Sequence, residues 1–388
     1  MSEVDNVDIG KYDFSSQSGE ELKDIRDMSP EDQAKLRMSG MDVDDNMRSG
    51  TYLQIDHSRS SCSTCKPGVE ILDIRDALEK YDGLPEYYWQ AVDKDKDEFT
   101  RAAAENIHGG YFIRTEKGAR VEEPVQSCLY IKGQGIGQNV HNIVVVEEDS
   151  ELHIITGCAT SHEVSSALHL GISEFYIKKG GRLTFTMVHN WGEEVVVRPR
   201  TVGIVEEDGV FANNYILLRP VKSVQSYPAV YLNGRGGVAR FNSIIVAPEG
   251  SHVNSGNKIV LNAPDTRGEI ISRTITTGGE IIAPGMIEGN AVPARGHLEC
   301  KGLILSDGVI HAIPELKGTV TGVDLSHEAA VGKIAQEEIE YLMARGMDED
   351  EATSTIVRGF LNVDIMGLPQ ELQESIEKTI EENEKEMF

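Results

Sequence analysis

The feature that most narrows what this chain can fold into is a recurring turn. Glu-Glu-Asp-Ser at 147–150, Lys-Lys-Gly-Gly at 178–181, Glu-Glu-Asp-Gly at 206–209 and Gly-Arg-Gly-Gly at 234–237 fall about 28 to 31 residues apart. Between them lie short β-rich runs, among them 152–156, 183–188, 215–218 and 244–246. Later turns, at 247–250, 263–266 and 276–279, come at roughly half that interval, and one at 306–308 follows after a full interval. A unit of this length with two β-runs suits one coil of a β-solenoid, in which each coil buries its inward side chains on its neighbours. A β-sandwich with regular hairpins has similar punctuation. No helical pattern interrupts 108–321, which argues against a doubly wound α/β fold and leaves the solenoid as the favoured reading.

The flanks read differently. In the first region, 1–107, Ser29-Pro30-Glu31-Asp32 supplies an N-cap, a proline at the first helical position and acidic residues in the first turn, predicting a helix over 29–37. Residues 69–107 read as helical, with Ile71, Ile74 and Leu78 on one face, and Phe99, Ala102, Ala103 and Ile107 on another. Leu84-Pro85-Glu86 breaks the pattern between them. The last region, 322–388, is expected to hold three helices, over 328–345, from Asp348 onward and over 370–387. The second presents Ile356, Val357, Phe360 and Leu361 as an apolar face that either shields the last coil or docks a partner.

A net charge of −27 repels nucleic acid and anionic lipid, which excludes both as direct partners. No run approaches the ~18 consecutive apolar residues of a membrane span, and the start of the chain has no charged-then-apolar leader. Its five cysteines, Cys62, Cys65, Cys128, Cys158 and Cys300, are odd in number and scattered. Together these predict a reduced, soluble, cytoplasmic protein with free thiols. There is no Gly-x-x-x-x-Gly-Lys-Ser/Thr, and Gly-Gln-Gly-Ile-Gly-Gln at 133–138 lacks the helix a dinucleotide loop needs, so the chain is not expected to bind ATP itself.

Two stretches concentrate metal-ligating residue types. Between 297 and 334 lie Cys300, His297, His311, His327 and several carboxylates, where the β-like region gives way to helix. Thiolate, imidazole and carboxylate together suit iron, zinc or an iron–sulfur cluster; an ordinary junction with one buried thiol is the plainer reading. Nearer the start, Cys62 and Cys65 form a single C-x-x-C with His57 close by. That is half a zinc site or a redox pair, or two exposed thiols without a mechanistic role.

Several ordered motifs resemble the SufB/SufD family of iron–sulfur cluster assembly scaffolds of the SUF system. They are Gly-Gly-Tyr-Phe-Ile (109–113), Val-Glu-Glu-Pro-Val-Gln (121–126), Gly-Cys-Ala-Thr-Ser (157–161), Ser-Ala-Leu-His-Leu (166–170) and Met-Val-His-Asn-Trp (187–191). Toward the end come Leu-Ser-His-Glu-Ala-Ala-Val-Gly-Lys-Ile (325–334), Ile-Val-Arg-Gly-Phe (356–360) and Leu-Pro (368–369). The resemblance covers about residues 70–388.

What the resemblance implies is a mainly β fold: a right-handed parallel β-helix core between an N-terminal helical region and a C-terminal helical domain. It also implies a non-catalytic scaffold that pairs through its β-helix, here as a homodimer, and binds a SufC-type ABC ATPase through the C-terminal helices. A transient iron–sulfur cluster would form at the core-subunit interface and pass to apo iron–sulfur proteins. Cys158 matches the cysteine that accepts sulfur as a persulfide, and Trp191 matches a tryptophan of the sulfur path. Two residues before it, His189 stands where the family usually has glutamine. Glu328 matches an assembly-site glutamate of SufB and His327 the corresponding histidine of SufD; both occur in this one chain. The assembly-site cysteine of SufB would fall near Gly308, where there is none, so Cys300 is the candidate replacement. His311, Cys62 and Cys65 remain secondary metal or redox candidates.

Two other classes compete. A secreted carbohydrate-active β-helix would need a charged groove on one parallel sheet, and an interaction scaffold that holds no cluster would differ only in failing to bind iron and sulfide.

Overall fold

The structure, a computed structural model, describes residues 7–15, 25–41, 43, 48–105 and 107–361. It is a parallel β-solenoid of about eight turns with helices at both ends. Four strands open the chain: β1 (Gly50–Ile55), β2 (Ser58–Thr64), β3 (Val69–Asp73) and β4 (Tyr111–Thr115). Each later coil lays one long strand in the first sheet. These are β5 (Val125–Ile131), β7 (Glu151–Thr160), β9 (Arg182–Asn190), β12 (Val210–Leu217), β15 (Val238–Ala247), β18 (Thr266–Thr276), β20 (Ala294–Ile304) and β22 (Asp324–Gly332).

The second sheet takes β6 (Gly137–Val146) and β8 (Ala167–Ile177), then pairs of short strands. These pairs are β10 (Val195–Val197) with β11 (Arg200–Val205), β13 (Ser223–Ser226) with β14 (Ala229–Leu232), and β16 (His252–Ser255) with β17 (Asn257–Leu261). The last two members are β19 (Glu280–Gly289) and β21 (Val309–Gly318). The closer turns of the later sequence are the corners between the two sheets.

The predicted period is the coil length. Glu151 pairs with Arg182, Arg182 with Val210, Val210 with Val238, Val238 with Arg267, Arg267 with Arg295, and Arg295 with Asp324. The punctuating turns stack because their residues take left-handed backbone in sequence: Asp149 at φ 55°, Gly180 at 66°, Asp208 at 53° and Gly236 at 73°. Gly180 and Gly236 have to be glycine, since a Cβ there would sit 2.3 and 2.2 Å from the carboxylates of Asp149 and Asp208.

One apolar column fills the solenoid from Tyr52 to Ile310. Phe175, Phe185, Phe211 and Phe241 stack along it, their centroids 4.8 to 6.2 Å apart. The outer faces are covered by helices. The helix α1 (Pro30–Met38), capped by Ser29 as predicted, lies over β1, β5 and β7 through Leu36, Cys128 and Tyr130. The next two, α2 (Ile74–Lys80) and α3 (Glu98–Glu105), cover the second sheet. At the far end come α4 (Gln336–Met343) and α5 (Glu349–Leu361), the latter started by the reciprocal cap of Asp348 and Glu351.

Two helix expectations are corrected. Residues 69–73 are strand β3, paired antiparallel with β4, before helix begins at Ile74. Likewise helix does not begin at Glu328. Residues 324–332 form β22, in register with β20, and helix starts only at Gln336. Ladder pairing with an existing sheet edge outweighs the helix propensity of Glu-Ala-Ala, which is worth only tenths of a kcal/mol per residue. The solenoid therefore extends past both expected boundaries, 108 and 321, taking in β1 on one side and β22 on the other. The helix expected over 370–387 lies outside the described residues.

Candidate functional site

Cys158 lies on the inward face of β7, opposite His189 on β9. The thiol is fully buried. Burial first, and then Cys128, hold its pKa well above the usual thiol value. Burial also holds His189 neutral, its pKa lowered further by His169. His189 shares a 3.0 Å hydrogen bond with the Tyr215 hydroxyl, and His169 shares one of 2.9 Å with Gln138. Trp191 packs between the two imidazoles, its ring 4.9 Å from His169 and 5.3 Å from His189. The interior around Cys158 is thus lined by neutral, polarizable groups, a setting in which sulfur can be held away from water. Sequence reading singled out Cys158, His189 and Trp191, and the structure brings them together. It missed His169, Tyr215 and Gln138, although the inward alternation of β8 already put His169 on the same side as Ala167.

At the far end, Cys300 faces the solenoid interior on β20, with its thiol pushed up to about 11 by burial, partly offset by Arg273. His327 and Glu328 sit on β22, the last strand of the first sheet. Their register partners are Leu298 and Glu299, while that of Cys300 is Ala329. With the period of two along a strand, His327 lies on the Cys300 face and Glu328 on the opposite one. Glu328 instead reaches Lys301, 3.2 Å from its ammonium, and Lys301 also holds Glu299 at 3.1 Å. Among the described residues, no three His, Cys, Asp or Glu side chains converge closely enough to hold a metal ion. His311 is exposed on β21, in the other sheet, opposite Ile282.

Cys62 lies within β2 and Cys65 just beyond its end. Three residues of extended chain span about 10 Å, too far for a disulfide without rearrangement. Cys62 is partly buried, its thiol raised to about 11 by burial, whereas Cys65 is exposed.

The apolar face of α5 is divided. Val357 and Leu361 are buried against Ile216, Ile244 and Ile275 on the outer surface of the first sheet. Phe360 is partly buried beneath the Arg273 guanidinium, 5.9 Å from its ring, and Ile356 is half-buried. On α4, Tyr341 and Met343 are exposed.

A groove of about 500 Å³ crosses the outer face of the first sheet between two side-chain rows, lined by Arg240, Arg267, Arg295, Glu269 and Asp324. It is the kind of charged groove that a carbohydrate-active β-helix would need. Among the described residues, no helix is long and apolar enough to cross a membrane.

Comparison with known proteins favours iron–sulfur cluster assembly over the carbohydrate-active class. Residues 129–360 match the family model described as SUF system FeS cluster assembly, SufBD core domain. An iron–sulfur cluster assembly SufBD family protein of Archaeoglobus fulgidus is 53% identical over 358 residues, covering 92% of this chain and 96% of the relative. One from Methanothermobacter thermautotrophicus is 45% identical over 392 residues, covering 99% and 95%. The iron–sulfur cluster assembly protein SufB of Bacillus subtilis is 30% identical over 311 residues, covering 78% and 66%. With its solenoid, its buried Cys158 and these matches along nearly its full length, the chain belongs to the SufBD family of iron–sulfur cluster assembly proteins.

Proposed function

We propose that this chain is a non-catalytic cytoplasmic scaffold, working as a homodimer, on which an iron–sulfur cluster is built at the seam between two solenoids. The observation that carries this reading is the free edge of β22. It ends the first sheet, no strand among the described residues pairs with its outer side, and it holds His327 on the same face as Cys300. An unpaired edge is a ready template for a second copy. Because the described residues of one chain gather no complete ligand set, two copies would supply it jointly from Cys300, His327 and Glu328, with Glu328 first leaving Lys301 on the opposite face of β22. Mixed sulfur, nitrogen and oxygen ligation holds a cluster less firmly than four thiolates, which suits a scaffold that must release its cargo to apo proteins.

Sulfur would enter at Cys158 as a persulfide and move through the interior lined by His189 and Trp191. A SufC-type ATPase would dock on the α4–α5 pair through Ile356 and Phe360 together with Tyr341 and Met343, while Val357 and Leu361 fasten the pair to the solenoid. Nucleotide-driven closure of two such ATPases would twist the paired cores and open the seam. The exposed His311 and the Cys62/Cys65 pair stand apart from this route and have no part in it.

Anaerobic co-expression with an ABC ATPase of the SufC type tests the reading. Co-purification of the two, with the scaffold running as a dimer and carrying iron and sulfide, is expected. A monomer that binds neither the ATPase nor iron would favour an interaction scaffold that never holds a cluster.

A further inference from the structure

Beside Cys158 the solenoid interior holds a hydrogen-bond donor whose direction is fixed by a residue one coil further on. Cys158 on β7, His189 on β9 and Leu217 on β12 follow one another in register, and Tyr215 faces inward two residues before Leu217, opposite Met187. Adjacent strands lie about 4.8 Å apart, so the Cys158 sulfur and the His189 ring are neighbours on one inner face. Met187 and Tyr215 face inward yet are only partly buried, which leaves room in the interior beside them.

His189 is 3% exposed, and among the described residues its side chain makes one hydrogen bond, between Nδ1 and the Tyr215 hydroxyl at 3.0 Å. The hydroxyl has no other partner there. Burial, and then Cys158, hold the Tyr215 pKa above the ordinary tyrosine value, so the hydroxyl keeps its hydrogen. Leaving that hydrogen without an acceptor inside the solenoid is costly, so Tyr215 donates to Nδ1. Burial keeps the imidazole neutral with a single N–H, and Tyr215 thereby puts that hydrogen on Nε2. Nε2 sits at the end of the ring away from the backbone and points into the interior that Cys158 also faces. The neighbouring hydroxyls toward β5 are engaged with one another, Tyr111 with Thr156 at 3.4 Å and Thr156 with Ser127 at 2.6 Å. The titratable groups packed round the pair are Cys128, Tyr111, Tyr215 and His169. Burial holds each in its neutral form, so no carboxylate or ammonium among them competes for a charge on sulfur.

We propose that His189, positioned by Tyr215, holds the outer sulfur of a persulfide on Cys158 through its Nε2–H. The inference rests on the reading of Cys158 as the sulfur acceptor. A thiol sulfur is a weak acceptor, and His189 forms no hydrogen bond to Cys158 as it stands. A persulfide extends Cys158 by one S–S bond of about 2.05 Å and ends in an anionic sulfur, a stronger acceptor. With a low-molecular-weight persulfide as donor, Cys158–SH and R–S–S⁻ give Cys158–S–S⁻ and R–SH. The Cys158 sulfur bonds to the outer sulfur of the donor. The donor S–S bond breaks with its electron pair on R–S, and that sulfur takes the thiol proton. No oxidant or reductant is consumed.

The full chain is loaded anaerobically with glutathione persulfide, and sulfur on Cys158 is read by cyanolysis and peptide mass. The half-life of that sulfur is expected to fall at least tenfold in His189→Leu, to fall by less in Tyr215→Phe, and to recover in His189→Gln, whose amide keeps an N–H. Nitrogen-15 NMR of the histidine-labelled chain, with His189 assigned by its loss in His189→Gln, should show the ring hydrogen on Nε2. That resonance should move on loading, and Tyr215→Phe should release the preference for Nε2. Thermal melting identifies a misfolded variant; if His189→Leu misfolds, Tyr215→Phe and the NMR arm decide. A ring hydrogen on Nδ1, an Nε2 resonance unmoved by sulfur, or equal half-lives in wild type and His189→Leu overturns the proposal and leaves the role of Cys158 intact. No sulfur on Cys158 in the wild type overturns the acceptor reading and this proposal with it.

Discussion

Cys158 and His189 face each other across adjacent strands inside the solenoid, and burial keeps both uncharged. A thiol held in its protonated form and shielded from water is a slow nucleophile toward reagents in bulk solvent. Iodoacetamide at pH 8 is therefore expected to label the exposed Cys65 first and to leave Cys158 and Cys128 unmodified until the chain unfolds. Peptide mass spectrometry reads the order; labelling of Cys158 as fast as that of Cys65 would contradict the buried site.

The imidazole at His169 makes a prediction about acid. Burial lowers its pKa from 6.5 to about 3 in the folded chain. Below pH 6.5 the unfolded chain takes up a proton that the folded one refuses. Stability from this group is thus complete above pH 6.5 and declines as the pH falls toward the folded value. Each pH unit costs about 1.4 kcal/mol over that window. Thermal melting between pH 7 and 4 should show His169→Asn less acid-sensitive than wild type, even though its stability at pH 7 is lower through loss of the Gln138 bond. Equal acid slopes would mean that His169 is not held neutral by the fold.

The stacked turns predict a backbone effect. Gly236 has a positive φ, and an added methyl would press on the Asp208 carboxylate. Gly236→Ala is expected to cost about 1–3 kcal/mol in urea unfolding. Asp208→Ala would relieve the contact and recover part of the loss, leaving the φ contribution.

The two faces of the C-terminal helices should separate by mutation. Leu361→Ala opens a cavity against Ile244 and Ile275 and is expected to cost about 2–5 kcal/mol locally, read as faster hydrogen exchange along α5. Tyr341→Ala, on an exposed side chain, should leave exchange unchanged and weaken capture of the ATPase. ATPase capture unaffected by Tyr341→Ala and Phe360→Ala together would move the docking site elsewhere.

Much of this architecture was legible in the residues. Turn spacing marked the coils because every coil must return to the same corner, and glycine or aspartate at the left-handed positions shows in the sequence. The cap at Ser29 and the reciprocal cap of Asp348 and Glu351 were equally local. What escaped was set by distant partners. Val69–Asp73 and Asp324–Gly332 are strands only because β4 and β20 offer them edges. The burial of Val357 and Leu361 depends on an outer sheet surface assembled from coils more than a hundred residues earlier as well as from nearby ones. At the candidate cluster site, His327 and Glu328 are neighbours in sequence that alternate across the strand, which a helical reading could not anticipate.

On the proposed function, the seam beside β22 is where the cluster is built. Anaerobic reconstitution with iron and sulfide, followed by Mössbauer spectroscopy, tests it on wild type and on Cys300→Ser, His327→Ala and Glu328→Ala. Each substitution is expected to lower iron and sulfide per dimer and to change the iron environment, with the solenoid still folded by circular dichroism. Undiminished cluster with an unaltered spectrum in all three variants would contradict the account.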